Sequence, residues 1–310
     1  MTSAQKTNIN VVFGAMTFGK EGSEQARVHD LDTAGKILDI FQAHGHNEID
    51  TARAYCEGTT ETMLGDLDWQ KRGLVMETKY YPTAGKSIPS SWNNNLRHTP
   101  EDLRENLMTS LKELKTDKID MWYLHGEGHF KRLGISNYMA WEVAQICELC
   151  RKNDWIQPSV YQGVYNALHR SVEPELFPCL RYYNIAYYNY NPLAGDKDIE
   201  SGSRFDPNKW QGKMYRGRYW REEYFAALDL LRPVAKKHGF TEAECALRWM
   251  QHHSQLQREK GDAIIIGASS PHHIESNLKD MEKGPLPADV VEALDKGWEL
   301  CKGISGRYWH

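Results

Sequence analysis

Short runs rich in β-branched and aromatic residues alternate along this chain with longer stretches in which apolar residues recur every three or four positions. That alternation is the mark of strands and amphipathic helices taking turns around a parallel sheet. The runs at 11–16, 47–51, 74–79, 119–125, 131–136, 158–162, 185–191 and 263–267 read as eight strands. The stretches at 33–44, 59–67, 99–115, 138–153, 172–183, 222–238 with 241–254, and 271–282 read as helices, with 287–301 as a closing one. Thr99-Pro100-Glu101-Asp102 opens its helix with a capping hydroxyl, a proline at the first helical position and acids in the first turn.

Eight strand and helix repeats predict an α/β fold of the (β/α)8 TIM barrel type. Linkers, low-complexity tracts and composition breaks are missing from the pattern, so residues 1–310 are expected to form a single barrel domain. One repeat is irregular. Only Gly126, Glu127, Gly128, His129 and Phe130 separate the fourth strand from the fifth, where a parallel crossover ordinarily needs a dozen residues and a helix. Five extended residues reach roughly 17 Å, enough to retrace a short strand. Helix 4 is therefore read as missing, with a gap or local rearrangement and lost cover on the outer face of strands 4 and 5.

Composition narrows the function classes. Of 310 residues, 40% are hydrophobic and 26% charged, and the formal charge of -4 comes from interspersed acids and bases. This argues against a polyanion-binding surface, hence against nucleic acid as partner. No apolar run is long enough to cross a membrane and the first ten residues lack a signal-peptide layout, so a cytoplasmic protein is expected. Six cysteines are too few for a disulfide scaffold, and Cys147 and Cys150 form a lone C-x-x-C that reads as two small residues on a buried helix face. No metal is expected.

In such a barrel the reacting groups gather where strands end. Strand 2 leads through Asp50 to Tyr55, strand 3 ends at Lys79 and strand 4 at His125. Taken singly, each has a structural reading as an ion pair or core residue; their order and placement together point to chemistry. Beside Tyr55, Lys79 is expected to lower the phenol pKa and make it a proton donor to an alkoxide, Asp50 to hold Lys79, and His125 to orient a carbonyl. The later strand ends supply Ser136 and Asn137, Gln162, Tyr190, and the turn Gly267, Ala268, Ser269 and Ser270 opening a helix. Amides for a carboxamide, an aromatic ring for stacking and a helix N-terminus for phosphate suit a nicotinamide dinucleotide.

With Asp50-Thr51-Ala52, Tyr55, Lys79, His125, Gly134-Ile135-Ser136-Asn137, Gln162 and Asn191-Pro192-Leu193-Ala194-Gly195 in order across nearly the whole chain, the sequence resembles the aldo-keto reductases. Its nearest likeness is the aflatoxin-aldehyde (succinic semialdehyde) reductase subfamily, through stretches such as Tyr138 to Val143, Glu175 to Leu180, Met214 to Trp220 and Leu247 to Met250. The resemblance implies NADPH-dependent reduction of an aldehyde or ketone, with Tyr55 as donor and His125 touching substrate. It implies a cofactor site of Asp50, Ser136, Asn137, Gln162, Tyr190, Asn191, Pro192, Leu193, Ala194, Gly195, the strand 8 turn and Asn277. Arg204, Tyr215 and Arg218 become substrate-side residues, and a homodimer an expected assembly.

Three departures from the family pattern stand out. Helix 4 is absent, Asp196-Lys197-Asp198 follows Gly195 where the family continues with glycines and a cation, and His273 stands near the place of a frequent arginine. Two substrate readings stay open, a tailoring step in fungal-type polyketide or meroterpenoid metabolism and general aldehyde detoxification. A non-catalytic cofactor-binding barrel subunit is the alternative of a different class.

Overall fold

The computed structural model describes residues 4–85, 95–123, 129–193 and 205–309. Eight parallel strands close into a barrel in chain order: β1 (Asn10–Gly14), β2 (Glu48–Asp50), β3 (Val75–Lys79), β4 (Ile119–Tyr123), β5 (Phe130–Ser136), β6 (Val160–Val164), β7 (Ala186–Tyr190) and β8 (Ala263–Ile266). Around them lie α1 (Leu31–Ala43), α2 (Thr59–Asp66), α3 (Pro100–Glu113), α4 (Ala140–Asn153), α5 (Leu176–Tyr183), α6 (Trp210–Tyr219), α7 (Glu222–His238), α8 (Glu242–His252), α9 (Pro271–Met281) and α10 (Ala288–Cys301). The TIM-barrel reading holds. Thr99 caps α3 by accepting from the Asp102 N–H, with Pro100 at the first helical position.

Alternation sorts each strand into an outward and an inward set. Outward residues such as Phe13, Ile49, Met76, Trp122, Leu133, Tyr161, Tyr187 and Ile264 join the helices in the main core. Inward residues include Val12, Met121, Tyr123, Val160, Tyr188 and Ile265, which form a separate apolar cluster inside the barrel. Among them sit Glu48, Asp50, Glu77, Lys79, Arg132 and Gln162, so the barrel interior is partly polar.

The short connection between β4 and β5 leaves no gap in the sheet. Ile119 pairs with Phe130, Met121 with Arg132, Trp122 with Leu133 and Tyr123 with Gly134. The expected loss of cover is also corrected. Trp122, Leu133 and Ile135 on the outer face are buried, Trp122 stacks at a tilt on Phe130 with centroids 5.7 Å apart, and Lys131 pairs with Asp120 at 2.5 Å. A bulky indole does here part of what a helix does elsewhere. Two further corrections concern boundaries: β1 gives way to a helical turn over Ala15–Thr17, and α5 begins at Leu176 after a turn rather than at residue 172.

The helix α6 was not expected. Its buried face is Gln211, Gly212, Tyr215 and Tyr219, spaced as a helix but too polar to show in a hydrophobic pattern. A side chain at Gly212 would collide with the Asp206 backbone, and the Gln211 N–H donates to Glu24 at 3.1 Å. These contacts draw α6 toward the strand ends.

Candidate active site

The inward residues at the C-terminal ends of β2 and β3 meet directly. Beyond the last residues of the ladder, the Thr51 N–H donates to the Glu77 carbonyl and the Arg53 N–H to the Lys79 carbonyl, which keeps the two strands in register up to the mouth. Lys79 Nζ donates to Asp50 Oδ1 at 2.5 Å and to the Thr51 carbonyl at 2.8 Å. The same Asp50 oxygen accepts from Gln162 Nε2 at 2.7 Å. Desolvating two such ions costs several kcal/mol each, and good geometry with further hydrogen bonds offsets it. All of these conditions are met here.

Tyr55 opens a tight turn in which Cys56, Glu57 and Gly58 all have positive φ, at 46°, 58° and 91°. Left-handed geometry at two non-glycine residues is strained and needs support. Thr59 Oγ1 donates to the Cys56 carbonyl at 2.7 Å, and a side chain at Gly19 would overlap Cys56. Held this way, the Tyr55 ring lies 5.2 Å from Lys79 Nζ, while the Tyr123 ring lies 5.4 Å from it on β4. One ammonium therefore sits against two phenols.

The expected lowering of the Tyr55 pKa is corrected. Burial raises it, Lys79 pulls it down, and Asp50 and Tyr215 push it up again, leaving the phenol above its ordinary value. Tyr55 is thus held in its protonated form. Burial also works against the Lys79 charge, but the Asp50 carboxylate to which it donates leads the contacts that outweigh it and raise the lysine.

The ends of β5 and β7 meet at the next part of the rim. Tyr190 OH donates to Asn137 Oδ1 at 2.9 Å, and Ser136 and Asn137 are half-buried. Asn191, with φ of 55°, accepts from Tyr215 OH at 2.9 Å and donates to Tyr219 OH at 3.4 Å, and its carbonyl accepts from Asn166. Arg218 lies against the phenols of Tyr190, Tyr215 and Tyr219, which raise its pKa against the burial that lowers it. Pro192 is buried and Leu193 half-buried beside this cluster.

At β8, Gly267 is exposed and Ala268 buried, with its carbonyl taken by Thr17 Oγ1. Ser270 caps α9 by accepting from the His273 N–H, and Ser269 Oγ meets His273 Nδ1 at 2.9 Å. Asn277 is half-buried on α9. His125, Ala194, Gly195 and Arg204 lie outside the described residues. Cys147 and Cys150 are both buried on α4, where burial pushes the Cys147 thiol up to about 12. Among the described residues no group of histidines, cysteines and acids is placed to hold a metal, and no helix is long and apolar enough to cross a membrane.

Reading only strand ends missed Glu48, Glu77, Tyr123, Arg132 and Tyr188, which face inward below the rim. The signal was present. Glu48 and Glu77 stand two residues before Asp50 and Lys79, and period two puts each pair on one face.

Comparison with known proteins agrees with this architecture. Residues 10–127 and 126–299 match the model of the Aldo/keto reductase family, the two matches meeting at the short β4 to β5 connection. The chain is 46% identical over 302 residues to an aldo-keto reductase of Pseudocercospora fijiensis, covering 88% of this chain and 100% of that one. It is 42% identical over 337 residues to the aldo-keto reductase pigE of Monascus ruber, covering 98% of each. It is also 40% identical over 315 residues to the aflatoxin B1 aldehyde reductase member 2 of Mus musculus, covering 89% and 83%.

Proposed function

Because the chain belongs to the aldo/keto reductase family, we propose that it reduces an aldehyde or ketone to the alcohol with NADPH, Tyr55 giving the proton. The observation that carries this reading is the convergence of Asp50, Lys79 and a protonated Tyr55 at the barrel mouth.

The residues present suit the cofactor. Asn137 uses its amide oxygen on Tyr190, so its N–H2 end is the one available to a carboxamide carbonyl, with Ser136 beside it. Tyr190 offers a ring at the end of β7, and the α9 N-terminus with exposed Gly267 lets a phosphate approach backbone N–H groups. Bound NADPH supplies a hydride to the carbonyl carbon. The chain's own residues do the rest. Tyr55 O–H donates to the carbonyl oxygen and transfers its proton as charge develops there; the adjacent Lys79 ammonium stabilises the phenolate left behind, and Asp50 keeps that ammonium charged and fixed. The upward pull of burial on Tyr55 keeps the proton on the phenol until charge develops on the carbonyl oxygen, whose alkoxide is the stronger base. His125 is assigned to the substrate side by its order in the sequence, and Tyr215 and Arg218 by their place above the rim, where a guanidinium suits a polar or carboxylate oxygen.

For the substrate, a tailoring step on a secondary metabolite is favoured by the fungal relatives at 46% and 42% identity. A broad aldehyde reductase is the second reading, favoured by the 40% identity to a relative named for an aldehyde. A homodimer is the proposed assembly, which sedimentation checks. The test of function is titration of the intrinsic tryptophan fluorescence with NADPH and NADH, followed by turnover on a panel of aldehydes. NADPH binding with aldehyde-dependent oxidation is expected. Failure to bind either nucleotide overturns the reading, and binding without turnover of any aldehyde or ketone leaves a cofactor-binding subunit.

A further inference from the structure

Below the mouth, the barrel holds a second polar cluster that the proposed reaction does not use. Arg132 Nη2 donates to Glu48 Oε1 at 2.5 Å and its Nη1 to Tyr188 OH at 3.3 Å, while Tyr188 OH donates to the same glutamate oxygen at 3.1 Å. Glu77 is completely buried beside them. Its Oε2 accepts from Tyr123 OH at 3.2 Å, Arg132 Nη2 stands 3.7 Å from its Oε1, and its carboxyl meets that of Glu48. Two carboxyls buried against one another cost stability where apolar residues would not, so their presence asks for a role.

The hydrogen-bond directions supply one. Gln162 Nε2 has two protons, one on Asp50 Oδ1 at 2.7 Å and one on Tyr123 OH at 3.2 Å. Having accepted from Gln162, the Tyr123 hydroxyl sends its single proton to Glu77. We propose that Glu77 is a positioning residue for the reduction: from the barrel floor its carboxyl orients the Tyr123 hydroxyl, and through the Gln162 amide that hydroxyl fixes Asp50 against Lys79. This rests on the reading of Asp50, Tyr55 and Lys79 as the reacting group.

The charge state of Glu77 matters to the chain it anchors. Glu48 and Asp50 face it from β2, Lys79 shares its strand, and Tyr123, Arg132 and Tyr188 face it from β4, β5 and β7. Burial first, then Glu48 and Asp50, push Glu77 well above the usual carboxylate range, with Arg132 opposing. Glu48 goes the other way: burial opposes its charge, but contact with Glu77 and Arg132 outweighs it. Glu77 is therefore the neutral acid, and Glu48 and Asp50 are balanced by Arg132 and Lys79. Ionising Glu77 would place a third negative charge beside Asp50 and loosen its grip on Lys79. Glutamine copies the neutral acid without ionising; alanine removes the acceptor.

The test is kcat and KM against pH, from about 6 to 10, for the parent, Glu77→Gln, Glu77→Ala and Tyr123→Phe with NADPH and an aldehyde. We expect Glu77→Ala and Tyr123→Phe to lower kcat roughly 5- to 50-fold with KM within about twofold. Glu77→Gln restores kcat to within about threefold of the parent and moves the alkaline fall upward by roughly half a pH unit or more. Tyr123→Phe keeps the ring and carries the test if Glu77→Ala does not fold. A parent that turns over while Tyr123→Phe matches its kcat, or while the Glu77→Gln profile superimposes on its own, overturns this inference alone. A parent with no turnover at any pH overturns the functional reading and the inference together.

Discussion

At the mouth of the barrel one cation meets one carboxylate, Lys79 on Asp50; at the floor one cation, Arg132, meets two, Glu48 and Glu77. Both sites are lined by phenols, Tyr55 and Tyr123 above, Tyr188 and Tyr123 below. The parts are the same and the count differs. With equal charges the mouth holds a fully ionised pair, which keeps an ammonium beside a phenol that must give up and regain a proton. With a surplus carboxyl the floor stores a proton on Glu77. Tyr123 touches both sites, so the two ends of one hydrogen-bonded column differ in protonation while sharing an anchor.

The largest effect should come from breaking the mouth. Lys79→Met leaves Asp50 buried without its cation, and should cost about 3–5 kcal/mol in urea unfolding, since stranding one partner of a buried pair leaves its charge uncompensated. It should also lower kcat by about 10²–10⁴. The matching change at the floor, Arg132→Met, should cost less because the Arg132 side chain is 35% exposed and Glu48 keeps the Tyr188 hydroxyl. Equal losses at the two sites would dissolve the distinction drawn between them.

A smaller change tests the shared anchor. Gly134 on β5 stands opposite Tyr123, and a Cβ there would come within 2.5 Å of the Tyr123 ring. Gly134→Ala should therefore destabilise by about 1–3 kcal/mol through overpacking and reduce kcat with it, both read on one preparation by urea unfolding and steady-state assay. Stability lost with kcat intact would separate Tyr123 from the mouth.

The smallest effects are in the pH dependence of stability, where the buried histidines and the buried Glu77 carboxyl act with opposite sign. Burial pushes His46 and His169 down to about 4 from 6.5, so they stay neutral in the fold while the unfolded chain takes up protons. Their contribution is present above pH 6.5 and lost as pH falls toward 4. Glu77 has the opposite sign: its pKa is raised, so its contribution is full below the unfolded value of 4.5 and lost as pH rises through the folded one. Glu77→Gln should flatten the fall that sets in above pH 4.5 and leave the histidine-linked loss toward pH 4 in place; a fall above pH 4.5 as steep as the parent's would place the proton elsewhere.

Much of this is legible in the amino-acid sequence. Hydrophobic alternation located all eight strands, and the ionisable residues closing β2 and β3 pointed to Asp50 and Lys79. The floor was not, because asking which residue ends a strand passes over the one two places earlier, although Glu48 and Glu77 share a face with Asp50 and Lys79. The helix α6 escaped because glutamine, glycine and tyrosines fill its buried face. The direction of the Tyr55 shift depends on burial, which neighbouring sequence does not report. At β4 and β5 the shortened connection was plain, yet the cover that Trp122 and Phe130 give each other requires the packed outer face to be seen.

Tyr55 carries the central claim, and Tyr55→Phe tests it with a single hydroxyl. Measured by stopped-flow oxidation of NADPH in the presence of an aldehyde, the variant should transfer hydride about 10²–10⁴ times more slowly than the parent while its nucleotide affinity, read from tryptophan fluorescence, stays within about twofold. Turnover equal to the parent's would remove Tyr55 from the proton-donor role.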